Sequence, residues 1–216
     1  IRNLSKSFGR KGYETPVLRN IQMDVYEGDF IAIMGPSGAG KTTLLNLLST
    51  LDTPSQGEIF LDGQEIQVKN TKESERLGIS IIYQELNLIP ELSVAENIFL
   101  DRQPKRNGFI DWKQMNQDAE KILEGIDMKI PPKMIVSTLS VAQRQMVEIA
   151  KAVSLGARLV IMDEPTSTLT EGETRKLFQV ISSLKQRGIT IIYISHRMDE
   201  IFEICDSYTI LRDGTF

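Results

Sequence analysis

The sequence predicts an α/β fold: a mostly parallel sheet buried under helices, with a small antiparallel β region near the N-terminus and a helical stretch inserted in the middle. Three observations lead there. Short unbroken runs of apolar, β-branched residues recur at Phe30–Met34 and at residues 78–83, 158–162 and 190–195. Runs of this length fit strands covered on both faces, as parallel strands are. Helical periodicity fills the intervals between them, and no internal repeat or low-complexity linker breaks the chain.

Each element has its own signal. Glu27-Gly28 and Asp62-Gly63 mark turns in the N-terminal β-rich part. Residues 41–51 form a helix after the first buried strand. Residues 85–155 differ from the rest, with helical spacing, a break at Pro131-Pro132 and no convincing buried strand. They read as an inserted helical subdomain (85–155), leaving residues 1–84 and 156–216 as the α/β core. Within the insert, residues 112–125 form one helix and the stretch after Leu139 another. There Ser140 and Gln143 stand at capping-box spacing, and Met146, Ile149, Ala150 and Val153 repeat on one face. A capped helix start favours an anion, because its free N–H groups and dipole are positive. Residues 171–187 are a third clear helix, and a strand-like run precedes Arg212.

Composition limits the function classes. Of 216 residues, 41% are hydrophobic and 25% charged, enough to bury a core and too apolar for disorder. The net charge of −4, without a basic run of five, argues against nucleic acid as the main partner. No apolar run approaches the ~18 residues of a membrane span, and there is no signal peptide. The single cysteine, Cys205, has no internal disulfide partner and reads as a small buried residue. The chain opens on Ile1 and stops just after a strand-like run, which reads as a piece of something longer.

The strongest motif is the phosphate loop Gly35-Pro36-Ser37-Gly38-Ala39-Gly40-Lys41-Thr42, which matches G-x-x-x-x-G-K-[ST] between a strand and a helix. Its glycines let the backbone wrap phosphate, its N–H groups form an anion nest, Lys41 adds charge and Thr42 offers a hydroxyl to Mg²⁺. The run Leu159–Asp163 is an apolar strand ending in two acids, Asp163 and Glu164. Two such acids alone are usually a solvated turn. Beside a phosphate loop, Asp163 suits the water shell of a hard cation and Glu164 a general base. His196, the only histidine, follows another buried strand. It is either structural or a neutral imidazole that positions water and phosphate.

Together these residues resemble the nucleotide-binding domain of ATP-binding-cassette proteins over nearly the whole chain. Gly35 to Thr42 is similar to the Walker A loop, Thr43 following it. Gln84 is similar to the Q-loop glutamine, Leu159–Asp163 to Walker B, Glu164 to the catalytic glutamate and His196 to the switch histidine. Leu139-Ser140-Val141-Ala142-Gln143 stands where the family has L-S-G-G-Q, and Phe8 where an aromatic stacks on adenine. The resemblance implies a RecA-like P-loop NTPase core, ATP and Mg²⁺ as ligands, and a metal site at Thr42, Gln84 and Asp163. It implies catalysis by Lys41, Gln84, Glu164 and His196. It also implies a head-to-tail dimer in which Ser140 and Gln143 meet the γ-phosphate held by a second copy. The expected partner is a membrane permease, with the domain on the cytoplasmic side, peripheral to the inner membrane and without a span of its own.

The chain departs from that pattern at three places. Val141 and Ala142 replace the signature glycines, and the usual D-loop Ser-Ala-Leu-Asp reads Ser167-Thr168-Leu169-Thr170. From about residue 77 onward the sequence resembles the first cassette of bacterial monosaccharide importers. Residues 1–62, including Met34 to Leu48 and the segment 9–16, resemble lipoprotein-release and macrolide-export ATPases. The switch near residues 62–77 leaves a chimera or natural divergence open. Rival classes are chromosome-associated ATPases, translation-factor cassettes and a non-enzymatic nucleotide-binding module. The interval from Thr42 to Leu139 lacks the sustained heptads of the first, and the acidic balance speaks against the first two.

Overall fold

The computed structural model describes residues 1–10, 12–66 and 71–216. Lys11, within the segment 9–16, and residues 67–70, within the stretch 62–77, lie outside the described residues. In chain order the strands are β1 (Arg2–Arg10), β2 (Tyr13–Ile21), β3 (Phe30–Met34), β4 (Gln56–Glu58), β5 (Phe60–Leu61), β6 (Gln64–Glu65), β7 (Ile79–Ile82), β8 (Lys105–Arg106), β9 (Phe109–Ile110), β10 (Leu159–Asp163), β11 (Thr190–Ile194) and β12 (Ser207–Ile210). The helices are α1 (Lys41–Leu48), α2 (Thr71–Arg76), α3 (Val94–Ile98), α4 (Trp112–Gly125), α5 (Val141–Ser154), α6 (Glu171–Gln186) and α7 (Met198–Ile204).

The four apolar runs became β3, β7, β10 and β11. With β12 at one edge they make a parallel sheet in the order β12-β3-β11-β10-β7. Their side chains alternate between two cores. On one face Ile161, Ile192 and Ile194 pack with Leu4, Leu18, Leu44 and Leu47, beneath α1 and the antiparallel sheet β2-β1-β4. On the other, Val160, Met162, Ile191 and Tyr193 pack with Val94, Met115, Met146 and Leu177 of α3 to α6. Both faces are thus covered, which is why the strand sequences carry no polar alternation.

Helix α1 stops at Leu48, short of residue 51. Thr50 takes a left-handed φ of 64°, and the N–H groups of Leu51 and Asp52 turn back to the Asn46 carbonyl at 2.8 and 3.1 Å. The middle of the chain is helical as expected, with α3, α4, a 3₁₀ turn at Val136–Thr138 and α5. It also holds an exposed hairpin, β8-β9, that the reading for buried strands passed over. Its turn residues Asn107 and Gly108 have φ of 52° and 87°, the geometry that Asn-Gly supplies in a two-residue hairpin loop. Cys205 is half-buried, and burial followed by the Asp206 charge pushes its thiol up to about 12.

Candidate functional site

Parallel strands end at one edge, and their register decides which ends meet. Asp163 pairs with Ile194, and Ile194 with Ile33. The chain leaving this row supplies Gly35 after β3, Glu164 after β10 and His196 after β11. Gln84 leaves β7 beside them, since Ile82 pairs with Met162. Strand ends of this kind are where α/β folds bind ligands.

Close packing holds the loop at Gly35 to Gly40. A Cβ on Gly35 would lie 2.2 Å from the Leu211 carbonyl oxygen, so only glycine fits. Gly38 and Gly40 have φ of 80° and 104°. Pro36 and Ser37 are exposed while Ala39 is buried. The Lys41 ammonium curls back to donate to the carbonyls of Gly35 at 2.8 Å and Pro36 at 3.1 Å. The first α-helical bond of α1 runs from Leu44 N–H to the Gly40 carbonyl, 2.8 Å, which leaves the N–H groups of Lys41, Thr42 and Thr43 without partners inside the helix. The first turn contains no acid, so its positive end is open to an anion. Thr42 is exposed there.

Opposite stands the carboxylate pair. Burial, then the Glu164 charge, pushes the Asp163 carboxyl above its usual range, and Lys41 acts the other way. Glu164 has a left-handed φ of 44°, fixed by its N–H donating to the Ile194 carbonyl at 2.8 Å. Its Oε1 lies 3.1 Å from His196 Nδ1. A carboxylate only accepts, so this contact is a hydrogen bond in the tautomer that carries the ring proton on Nδ1. The lone histidine is therefore not a core residue: its side chain is 63% exposed and paired with Glu164. Gln84 is exposed just after Tyr83, whose phenol is raised by burial and then by the Asp163 charge.

Three expected residues are not bonded into this cluster. Ser140 and Gln143 form the expected capping box at the start of α5, bonding each other at 3.0 and 3.2 Å rather than the phosphate loop. Phe8 is nearly half exposed on β1, with the Lys6 ammonium 5.0 Å from its ring centre. Its partner strand β2 supplies Val17 and Leu18, which wall the loop at Gly40. Sequence reasoning missed two buried acids behind the site. Glu148 on α5 accepts from the Asn87 N–H at 2.7 Å, three residues past Gln84. Glu200 on α7 collects hydroxyl groups from both sides of the strand ends. The signal was faint: both look like solvent-facing helix acids unless the opposite helix face is seen to be covered.

Among the described residues no group of three or more His, Cys, Asp or Glu could hold a metal. A hard cation here would need phosphate oxygens alongside Asp163 and Thr42, as Mg²⁺ commonly does. Among the described residues, no helix is long and apolar enough to cross a membrane.

Comparison with known proteins places this geometry. The chain is 47% identical, over 99% of its length, to the ribose import ATP-binding protein RbsA of Caldanaerobacter subterraneus subsp. tengcongensis. It is 49% identical, again over 99%, to the galactose/methyl galactoside import ATP-binding protein MglA of Clostridium perfringens. It spans 42% and 41% of those relatives' lengths. A dimeric, post-hydrolysis structure of the ATP-binding cassette MJ0796 bound to ADP and Pi is similar, with TM-score 0.83 and 26% identity over 99% of this chain and 94% of that one. The mixed α/β cassette fold expected from the sequence is thus the observed one. The profile of the ABC transporter family matches residues 18–167, a span holding both the phosphate loop and the carboxylate pair, and the chain belongs to that family.

Proposed function

We propose that this domain binds and hydrolyses Mg-ATP to drive transport, most specifically sugar import, through a separate membrane permease. The observation that carries the reading is the Glu164–His196 pair at the same sheet edge as the phosphate loop and Lys41. Residues 1–84 and 156–216 are read as the nucleotide-binding core and residues 85–155 as the helical unit. ATP would lie with its phosphates on the loop amides and Lys41 and its base against Phe8. Mg²⁺ suits the half-buried Asp163 carboxyl, whose charge a cation would relieve, together with Thr42 and Gln84; bound there it would offset phosphate charge. Glu164 takes the proton of the attacking water, while His196 and Gln84 hold water and γ-phosphate in line. Ser140 and Gln143 complete the site of a second copy in a head-to-tail pair at the cytoplasmic face of the inner membrane. Import rather than export is supported by the relatives, whose match includes residues 1–62.

Glu164→Gln tests this. The amide keeps size but cannot accept the proton, so kcat should fall about 10²–10⁴-fold with Mg-ATP affinity retained. Turnover at the parent's rate would remove Glu164 as the base.

A second reading, a recombined chain, rests on the different resemblances of residues 1–62 and of the chain from about residue 77 onward. Replacing residues 1–65 with an importer-type sequence should then raise the melting temperature. No change would favour ordinary divergence.

A further inference from the structure

His196 is mostly exposed, and its bond to Glu164 does not by itself explain why it stays in place. Its two neighbours are held by one buried carboxylate. Glu200, the third residue of α7, is 2% exposed. Its Oε2 accepts from Ser195 Oγ at 3.3 Å, Tyr193 OH at 2.8 Å and Thr166 Oγ1 at 2.8 Å. Ser195 Oγ in turn accepts from the Arg197 N–H at 3.1 Å, closing the backbone around His196. Arg197 Nη1 stands 2.7 Å from Glu200 Oε1 as a charge pair, outside the angles of a directed hydrogen bond. Thr166 belongs to the turn after Glu164, where Ser167 N–H returns to the Glu164 carbonyl at 3.1 Å. A buried carboxylate is costly unless it is paired, and here hydroxyls from two segments, the end of β11 and the turn after Glu164, bond its Oε2 while Arg197 stands at its Oε1.

From this convergence we infer that Glu200 is a positioning residue for the hydrolysis reaction. It locks the His196 turn to the Glu164 turn, so that imidazole and carboxylate meet at hydrogen-bond distance. The inference rests on the proposed hydrolysis for its kinetic consequence, but not for its structural one. Glutamine keeps one acceptor oxygen but no charge, so it holds Thr166, Tyr193 and Ser195 more weakly and loses the pairing with Arg197, and the two turns are then tied less tightly. Misplacement of about 1 Å costs about 10²-fold in such sites. Glu200→Gln should therefore lower kcat roughly 10- to 100-fold with the Kd for Mg-ATP unchanged, because the phosphate loop is untouched.

Because His196 is the only histidine, ¹⁵N-histidine NMR reads its ring without assignment variants. The wild-type ring should show the Nδ1–H tautomer, and Glu164→Ala should lose it. Glu200→Gln should move the ring shifts toward those of Glu164→Ala. Should Glu200→Gln fail to fold, Thr166→Val and Tyr193→Phe each remove one donor and should give smaller shifts in the same direction. Ring shifts matching wild type in a folded Glu200→Gln chain, or in both single-donor variants, would overturn the inference. If wild type binds ATP without turnover, the hydrolysis reading fails while the NMR comparison still decides the role of Glu200.

Discussion

Replacing Gly40 with alanine, beside the same change at Gly38, separates two strains in the phosphate loop. Both glycines have positive φ, 80° at Gly38 and 104° at Gly40. A Cβ on Gly38 meets nothing within 4 Å, so Gly38→Ala carries backbone strain alone. Left-handed conformation costs an L-residue ~1–2 kcal/mol, which for a chain of this size lowers the melting temperature by roughly 2–8 °C. At Gly40 the added Cβ would lie 2.8 Å from Leu18 Cδ2 and 3.2 Å from the Val17 carbonyl oxygen. Leu18 is 1% exposed, so its methyl group must shift within the core, and the carbonyl belongs to the backbone of β2. Overpacking adds ~1–3 kcal/mol, for a total of ~2–5 kcal/mol and a fall of roughly 4–20 °C. Gly40 is also the N-cap of α1, so the displacement moves Lys41 and weakens Mg-ATP binding. Thermal melts of both variants without nucleotide, followed by Mg-ATP titration, make the comparison. Equal melting temperatures would show that the Val17–Leu18 wall yields and that packing does not constrain the loop.

Other expectations concern residues behind and beyond the loop. The Glu148 carboxyl is raised, chiefly by burial and against the pull of Lys151 and the Asn87 N–H, so the folded chain keeps its proton to higher pH than the unfolded chain. Its ionisation therefore removes stability as pH climbs from the ordinary glutamate range through the raised value. Glu148→Gln should melt higher than wild type at about pH 8 and match it at about pH 4. Restoring both signature glycines, Val141→Gly with Ala142→Gly, should increase ATP-dependent pairing seen by gel filtration. Val141 is exposed at the first position of α5, where its side chain would stand between the backbone and the phosphate of the proposed pair.

The strands of the central sheet were legible because burial on both faces leaves an unbroken apolar run, with boundaries displaced by only a residue or so. Helix α4 was legible at both ends: Asp111 caps it, and Met115, Ala119 and Leu123 fall on one buried face. The strand ends carrying Gly35, Glu164 and His196 followed from the same runs. Their meeting was expected from the resemblance and not from spacing, because it depends on a strand order that places β11 between β3 and β10. The register shifts of β1 against β2 left no local trace either. Glu200 was hidden for a further reason. Its partners Tyr193 and Ser195 lie at the end of β11 and Thr166 in the distant turn after Glu164, and no spacing within α7 announces them.

Thr170 has a consequence of a different kind. It is the N-cap of α6, its hydroxyl accepting from the Glu173 N–H and the Glu173 carboxylate answering its own N–H at 3.0 Å. Aspartate and threonine are both good caps, so the hydroxyl in place of the D-loop acid leaves the helix start intact. What changes is long-range: each copy presents one fewer fixed negative charge near the face that the proposed pairing would use. Two such faces repel each other less at low ionic strength, where the screening length is long. Association of this chain with itself should therefore vary less with added salt than it would with aspartate at residue 170.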